Sequence, residues 1–352
     1  METNVQWGFL DRRIETFDPE NLLEVIRDGR FDHRLLEGGS FEVRHRRIVF
    51  GNSSVDCGDY SPAFAVNGQF STDQICLGFT PRVEKPAWCN GFNVAKGEIL
   101  CFTEGAELQF RNAPRTTWQA LLVDRRELQE VATILTGRPL ELPERGTTNF
   151  KAPDQASSLT SMLQCALSDL AESEALSDSA AASLCEEIVN EFVRAIAYMD
   201  QSSYKSRREF AGYRFAAMRR AEEFLREHMD APYSSRGLCS ATRMSERSIE
   251  MLFREAYGIS PRTWSQVARL NAARQELLES NGDDVRVSDV AVRWGFFHFG
   301  RFSAAYRNLF GELPSATVAT KRRRVVAFLS STSRHDARCS DRPRDGISAS
   351  GD

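Results

Sequence analysis

The sequence predicts an α+β protein of more than one domain, with a β-rich N-terminal part, a helical hairpin and an all-α C-terminal part. The chain has 352 residues, two to three times the common domain size of roughly 100 to 150. Short apolar runs between turn residues fill the N-terminal third, whereas helical apolar periodicity continues from Tyr213 almost to residue 318. Hydrophobic residues make up 41% and charged residues 27%, as expected for a chain that buries a core.

Apolar runs of β character lie between residues 41 and 122, within a domain that we place at 1–142. The clearest runs are 41–50, 74–79, 98–102 and 118–123. Turn-forming pairs such as Asn67-Gly68 and Asn90-Gly91 separate them. Many short strands at regular spacing favour an antiparallel barrel or sandwich.

Helices are expected on both sides of the β region, at 19–27 and at 125–136. Proline and glycine residues then mark 143–158 as a linker. Two amphipathic stretches follow in 159–204 and predict a helical hairpin. Their apolar residues are Leu159, Met162, Leu163, Ala166, Leu167, Leu170, Leu184, Ile188, Val189, Phe192, Val193, Ile196 and Met199. These faces either pack on the β domain or form a dimer interface.

The polar segment after the hairpin predicts a hinge and the start of the next helix at 205–220. The last residues, 330–352, are rich in Ser, Asp and Arg and predict a disordered tail. Uncharged apolar runs such as 120–123 are far shorter than the roughly 20 residues of a membrane helix. The start Met-Glu-Thr-Asn has no signal-peptide character. We therefore expect a cytoplasmic protein with no membrane partner.

The charges are unevenly distributed. Residues 1–204 carry 19 Lys and Arg against 31 Asp and Glu, a balance of −12, although the whole chain has a net charge of −4. Residues 205–324 carry 22 basic and 14 acidic residues, a balance of +8. This asymmetry indicates an acidic domain joined to a domain that binds a polyanion.

The eight cysteines do not form a metal-binding pattern. None lies in a C-x-x-C pair, which a zinc site read from sequence needs. We predict free, mostly buried thiols and no metal or other cofactor.

The basic region contains the same unit twice, at 235–256 and 288–311. In each, a short helix opened by a Ser cap, a tight turn and a second helix with aromatic core positions precede a Gly-x-x-Pro sequence. This is the pattern of a helix-turn-helix, whose second helix enters the DNA major groove. A helix of about 18 residues from Pro261 to Ser280 joins the units and spans roughly 27 Å, close to the one-turn DNA repeat of about 34 Å. Both second helices are therefore expected to face successive major grooves of promoter DNA.

Residues 221–320 resemble the C-terminal DNA-binding domain of the AraC/XylS family of bacterial transcription regulators. The matching motifs are Leu252-Phe-Arg-Glu-x-Tyr-Gly-Ile-Ser-Pro261, Arg269-Leu-Asn-x-Ala-Arg-x-x-Leu-Leu278, Val290-Ala-x-x-Trp-Gly-Phe296, Phe302-Ser303 and Tyr306-Arg-x-x-Phe-Gly311. The N-terminal part resembles, more weakly, the cupin-like sensor domains of this family, in the branch of the ethanolamine-utilisation regulators. The resemblance implies a cupin-like β-barrel before the tandem helix-turn-helix domain, a homodimer, and a transcription activator that works with RNA polymerase.

The resemblance also implies which side chains contact DNA. In the first unit they are Glu246, Arg247, Glu250, Met251 and Arg254, and in the second His298, Phe299, Gly300 and Arg301. Arg247 is the first candidate for reading a base, because a guanidinium pairs bidentately with guanine. Glu250 either accepts from cytosine N4 or pairs with Arg247 or Arg254, and Arg301 reads a base or clamps a phosphate. The core positions of these helices are expected to be Ile249, Leu252, Phe253, Phe302 and Tyr306.

Two features depart from the family pattern, and a third follows the domain. Arg243 occupies a turn position where Gly is usual, and a left-handed conformation there costs roughly 1 kcal/mol or more. In the second unit, Phe299-Gly300 and Ala304 replace polar or basic residues. The run Lys321 to Arg324 is either simply solvated or a non-specific phosphate contact, in which case its replacement lowers affinity evenly and flattens the salt dependence.

The function of the N-terminal domain has three alternatives, because a cupin-like domain serves as a sensor, a metalloenzyme or an interaction platform. A catalytic cupin needs several imidazole and carboxylate ligands, but residues 1–204 contain only His33, placed before the β region, and His45. A DNA-repair alkyl transferase needs closely paired cysteines. We therefore predict a non-enzymatic regulator that responds to a small-molecule effector. Trp88, Phe92 and Trp118, with Phe102 and Phe110, either line an effector pocket or fill the core.

Overall fold

The computed structural model describes residues 7–82, 84–151, 153–172, 177–197, 204–280 and 285–319, and its twelve described strands form two antiparallel sheets. The strands are β1 (Trp7–Ile14), β2 (Arg30–Leu35), β3 (Val43–Phe50), β4 (Ser53–Tyr60), β5 (Phe64–Gln69), β6 (Ile75–Arg82), β7 (Ala87–Cys89), β8 (Phe92–Val94), β9 (Glu98–Phe102), β10 (Glu107–Arg111), β11 (Thr116–Val123) and β12 (Thr147–Lys151). Sheet A has the order β1-β3-β4-β11-β6-β9-β12, and sheet B has the order β2-β5-β10-β7-β8. The predicted β-rich N-terminal part is confirmed, whereas a closed cupin-like barrel is not: the described strands form two separate sheets.

Nine α-helices are described. Their bounds are α1 (Arg125–Thr136), α2 (Pro153–Glu172), α3 (Asp178–Ala197), α4 (Tyr204–Glu227), α5 (Ser235–Thr242), α6 (Glu246–Tyr257), α7 (Pro261–Glu279), α8 (Val287–Arg293) and α9 (Phe299–Phe310). Helix α1 has the predicted bounds, since Asp124 caps its N-terminus and Gly137 ends it in a left-handed conformation. Helix α4 runs through the segment predicted as a hinge. No helix among the described residues combines the length and apolar character needed to cross a membrane.

The strands of sheet A separate two apolar cores because successive side chains alternate between its faces. On one face, residues such as Leu77, Phe79 and Leu121 pack with α1, α2 and α3. The hairpin helices α2 and α3 bury Leu163 and Phe192 in this core, so their apolar faces pack on the β domain, the first of the two alternatives. On the other face, residues including Cys76 and Trp118 face sheet B.

Sheet B lies between part of this inner core and helices α4 and α6, whereas the same apolar core continues into α7 and α9 through residues such as Leu270 and Phe302. Trp88 of β7 shares a core with Ala217 of α4 and lies 6.4 Å from the ring of Tyr257 in α6. Asn67 Nδ2 donates to Glu222 Oε2 of α4 at 2.6 Å. The layers therefore follow in the order hairpin, sheet A, sheet B and C-terminal helices.

A second contact joins the N-terminal part to α7. The Asn271 amide donates to the Leu35 carbonyl and accepts from the Leu35 N–H, both at 3.0 Å. The Arg274 guanidinium donates to the Phe17 carbonyl at 2.9 and 2.7 Å, and Phe17 stacks on Phe310 of α9 with 6.0 Å between ring centroids. Helix α7 is thereby fixed to β2 and to the turn after β1.

Three local predictions need correction. The predicted helix 19–27 is a 3₁₀ turn at Pro19–Leu22, because Phe31 N–H bonds to Leu23 O and Arg27 N–H to Asp56 Oδ2, which fold the following residues into turns. Strand β12 lies inside the segment predicted as a linker and pairs with β9. His33 lies on strand β2, not before the β region. The predicted tail and the run Lys321 to Arg324 lie outside the described residues.

Candidate nucleic-acid interface and cavity

The first helix-turn-helix unit consists of α5 and α6. Ser234 caps α5 and Ser245 caps α6, each through a side-chain oxygen that accepts a backbone N–H three residues on. Arg243, between the helices, adopts the left-handed conformation with φ 56° and ψ 34°, in the position where Gly is usual in the family. The side chain of Arg243 is exposed, so the turn keeps its geometry at the conformational cost of a non-glycine residue.

Helix α6 divides into a buried and an exposed face. Ile249, Leu252 and Phe253 are buried, as predicted. The opposite face presents Glu246, Arg247, Met251 and Arg254 to solvent and leaves Glu250 partly exposed. Of the alternatives for Glu250, the structure shows the ion pair with Arg254, at 2.8 Å.

The second unit consists of α8 and α9. Its first helix is capped by Arg286 without a side-chain hydrogen bond, so the predicted Ser cap at 288 is wrong: Ser288 lies inside α8. Gly295 turns the chain with φ +77°. Phe302 and Tyr306 are buried as predicted, whereas His298, Phe299, Gly300 and Arg301 are exposed.

An aromatic residue missed by sequence reasoning adjoins the exposed start of α9. Phe297 is 71% exposed and Phe299 is 49% exposed, on either side of His298. A large apolar side chain in this position is a signal in the sequence, because an exposed turn has no core to fill. The start of α9 thus presents an apolar surface, and the exposed Arg301 follows two residues after Phe299.

Helix α7 sets the separation of the units. It has 19 residues, capped by Ser260 with Pro261 at its first turn, and therefore spans about 28 Å. Trp264, Leu270, Ala273 and Leu277 are buried on the predicted apolar face, between the units and the N-terminal part. Helices α6 and α9, each with one exposed face, are therefore separated by the single helix α7.

A cavity of about 70 Å³ lies between the inner faces of the two sheets. Of the predicted pocket aromatics, Trp118, Phe102 and Phe110 line it. Trp88 does not, because its position on β7 directs it to the opposite face of sheet B, against Tyr257. Phe92 is buried in the core on the inner side without lining the cavity.

His33 belongs to the cavity wall. Burial lowers its pKa to about 4, so the ring is neutral at pH 7. Its Nδ1 lies 3.2 Å from the Phe31 carbonyl and its Nε2 lies 3.2 Å from the Tyr60 hydroxyl, which fits an Nδ1–H donor and an Nε2 acceptor. His45 is also buried, beside Asp56. Among the described ranges, no three His, Cys, Asp or Glu side chains come together as a metal site would need.

The seven cysteines among the described residues are free thiols, and Cys339 lies outside those residues. Among the described residues, Cys57, Cys76, Cys89, Cys101 and Cys185 are buried, Cys239 is half-buried and Cys165 is exposed. Burial raises the pKa of the Cys76 thiol well above its usual value. These thiols act as small apolar side chains.

Comparison with known proteins identifies the C-terminal units. Residues 238–320 match the family model described as a helix-turn-helix domain. The chain is 36% identical over 110 residues to XylDLEGF operon transcriptional activator 1 of Pseudomonas putida, covering 31% of this chain and 32% of that relative. It is 30% identical over 107 residues to XylDLEGF operon transcriptional activator 2 of the same species, covering 30% of this chain and 68% of that relative. A crystal structure of a probable AraC family transcriptional regulator from Rhodopseudomonas palustris is 32% identical, covers 30% of this chain and 97% of that one, and has a TM-score of 0.28.

The two units and their exposed helices define a tandem helix-turn-helix DNA-binding protein. The chain belongs to the AraC/XylS family of transcription regulators. The chain spans about a third of the length of the first of these relatives (32%). These relatives are regulators, which favours the regulator over the two enzyme alternatives.

Proposed function

We propose that this protein is a sequence-specific transcription activator that binds promoter DNA through α6 and α9 in successive major grooves. The observation that carries the proposal is the pair of exposed helices at the ends of the capped helix α7, whose length of about 28 Å approaches one turn of DNA, about 34 Å. The basic balance of this part of the chain supplies the attraction to phosphates.

Arg247 is the proposed base-reading residue. It is exposed near the start of α6, and Glu250, one turn further on, is already paired with Arg254. The Arg247 guanidinium is therefore left for a bidentate pair with guanine O6 and N7, worth about 1–3 kcal/mol of discrimination. In the second unit, Phe297 and Phe299 fit thymine methyl groups, and Arg301 fits a base edge or a phosphate.

The test compares Arg247→Ala with Arg220→Ala, a control that removes the same charge from an exposed position on α4. Binding to the promoter of the operon next to the gene of this protein, which we expect to be its target, and to random DNA is measured at several salt concentrations. We expect Arg247→Ala to weaken promoter binding about 5- to 100-fold, with a much smaller loss on random DNA, because 1–3 kcal/mol corresponds to those factors. Equal losses on both DNAs would refute the base-reading role.

The N-terminal part is proposed to act as the cupin-like sensor. Strand β2 offers a route from the cavity to the DNA-binding units: Phe31 and His33 line the cavity, and Leu35, two residues on, bonds to Asn271 of α7. A ligand that favours one position of β2 changes the position of α7, and so the spacing of the DNA-binding units of the two subunits in the proposed dimer.

A homodimer, contact with RNA polymerase and a cytoplasmic location complete the proposal. Because the apolar faces of α2 and α3 are buried against sheet A, dimer contacts are expected on the other faces of these helices. Light scattering of the purified full chain, alone and bound to promoter DNA, measures the mass of the assembly, and a single copy of the chain on the DNA would contradict the dimer.

A further inference from the structure

The cavity between the sheets carries no charged side chain. None of its lining residues in the described part of the chain is Asp, Glu, Lys or Arg. The ring nitrogens of His33, a neutral side chain, lie at hydrogen-bond distance from the Phe31 carbonyl and the Tyr60 hydroxyl. A carboxylate or an ammonium group would lose its hydration here without gaining a counter-ion, and burying an unpaired charge is costly. The walls therefore select against charged ligands.

One polar atom of the cavity wall has no partner among the described residues. The Thr80 hydroxyl is fully buried without a hydrogen bond, on a side chain that is 3% exposed. Cys76, Gly78 and Thr80 alternate along β6 and all line the cavity, so the hydroxyl lies on the inner face of sheet A. Buried hydroxyl groups in proteins are normally paired, so this one is available to a ligand.

Gln119 is the other lining residue with an unpaired buried atom, its Oε1. In register it pairs with Phe79 and Cys57, and both of these pack in the core between sheet A and the hairpin. The Gln119 side chain therefore lies on that face of the sheet, and only its backbone borders the cavity. Thr80 is therefore the lining residue whose side chain presents an unpaired polar atom on the cavity side of the sheet.

The cavity volume sets the size of the ligand. A cavity of about 150 Å³ holds benzene and a single water needs about 10–15 Å³, so a cavity of about 70 Å³ accepts roughly three to five non-hydrogen atoms. The lining is almost wholly apolar, with Phe31, Phe70, Phe102 and Leu108 among its side chains. Such a space favours a short hydrocarbon body.

We propose that the effector is a small uncharged organic molecule, with an apolar body of a few carbons and one oxygen function that hydrogen-bonds to the Thr80 hydroxyl. This inference rests on the proposed sensor function and names the chemical class that the sensor takes. Carboxylates and amines of the same size are excluded as effectors of this cavity.

The test titrates the full-length protein with 1-butanol, butyrate and n-butylammonium, observed by ligand-detected NMR. We expect saturable binding of 1-butanol and binding of both charged probes that is at least 10-fold weaker. Butyrate or butylammonium binding as tightly as 1-butanol would overturn the inference, and so would the absence of saturable butanol binding.

Two variants separate the hydroxyl from the space around it. Thr80→Val keeps the shape and removes the hydroxyl, so it should weaken 1-butanol at least 5-fold and leave xenon binding, measured by ¹²⁹Xe NMR, unchanged. Gly78→Ala places a methyl in the cavity at an ordinary contact of 3.8 Å from Phe102 and from the Gln119 carbonyl, so it should fold and weaken both probes. Wild-type butanol affinity in Thr80→Val would overturn the role of Thr80.

Promoter binding of the same protein is measured in parallel without any probe. Failure of butanol binding beside intact promoter binding contradicts only the ligand class. If the wild-type protein binds butanol but shows no preference for promoter DNA over random DNA, only the proposed DNA-binding function is contradicted.

Discussion

Asn271 fixes α7 to the edge of sheet B, and its replacement by Ala should cost about 3 kcal/mol of unfolding free energy. The amide bonds both backbone groups of Leu35 at 3.0 Å, and Asn271 is 5% exposed and Leu35 3% exposed. In Asn271→Ala the Leu35 N–H and C=O lose these partners while they stay buried. Each unsatisfied group costs about 1–3 kcal/mol, which gives about 2–6 kcal/mol for the two. We expect a value in the lower half of this range, because the space left by the amide admits a water that bonds to one or both groups.

The assay is urea unfolding followed by far-UV circular dichroism at pH 7.5, with Gln275→Ala as the matched control. Gln275 lies one turn further along α7, is exposed, and donates only to Glu279 among the hydrogen bonds described. An exposed amide of this kind contributes within about 0.5 kcal/mol. A loss in Asn271→Ala no larger than that in Gln275→Ala would refute the reasoning that α7 is held to β2 by this pair.

Three further predictions concern His33, Arg243 and the thiols. Burial lowers the His33 pKa to about 4 from 6.5, so between these pH values the unfolded chain binds one proton more than the folded chain. The stabilisation of the fold by the neutral ring is therefore complete above pH 6.5, and about 3 kcal/mol of unfolding free energy is lost as the pH falls toward 4. His33→Asn should remove that part of the pH dependence in urea titrations at pH 7, 5.5 and 4, and an unchanged dependence would contradict the burial of a neutral ring. Arg243→Gly should raise the unfolding free energy by about 1 kcal/mol because φ is 56°, whereas Arg236→Gly in α5 should lower it by a similar amount; a loss in both variants would contradict the left-handed turn. Ellman's reagent should label Cys165 in the folded protein and Cys76 only after unfolding, because Cys76 is buried and burial raises its pKa. Mass spectrometry identifies the labelled peptides, and labelling of Cys76 in the folded protein would contradict its burial.

The helices of the DNA-binding units were predictable because periodicity and caps act locally. The apolar positions Ile249, Leu252 and Phe253 follow a helical repeat, whereas the turn position of Arg243 was recognised only from the family pattern, in which Gly is usual there. Strand β2 escaped prediction because its sequence Arg-Phe-Asp-His-Arg-Leu reads as polar, although its burial alternates perfectly along the strand.

The pocket residues were only partly predictable, because the face on which an aromatic side chain lies depends on strand register. Trp88 pairs with Arg111, and the next residue, Cys89, pairs with Phe110, which lines the cavity. A shift of the register by one residue would place Trp88 in the cavity wall instead of Cys89. The roles of Asn271 and Arg274 depend on partners more than 200 residues away in the chain, which local patterns do not contain.

Sheet B has a consequence for protein engineering. Along β10, Leu108 and Phe110 border the cavity, while Arg111 donates to the Ala256 carbonyl of α6 at 2.9 Å. Alternate residues of one strand thus contact different neighbours, the cavity on one face and the DNA-binding units on the other. A chimaera that joins this sensor to the DNA-binding units of a relative, spliced in the chain before α4, would carry a mismatched surface. A working biosensor built from this chain would need every second residue of β5, β7 and β10 taken from the donor of the DNA-binding units.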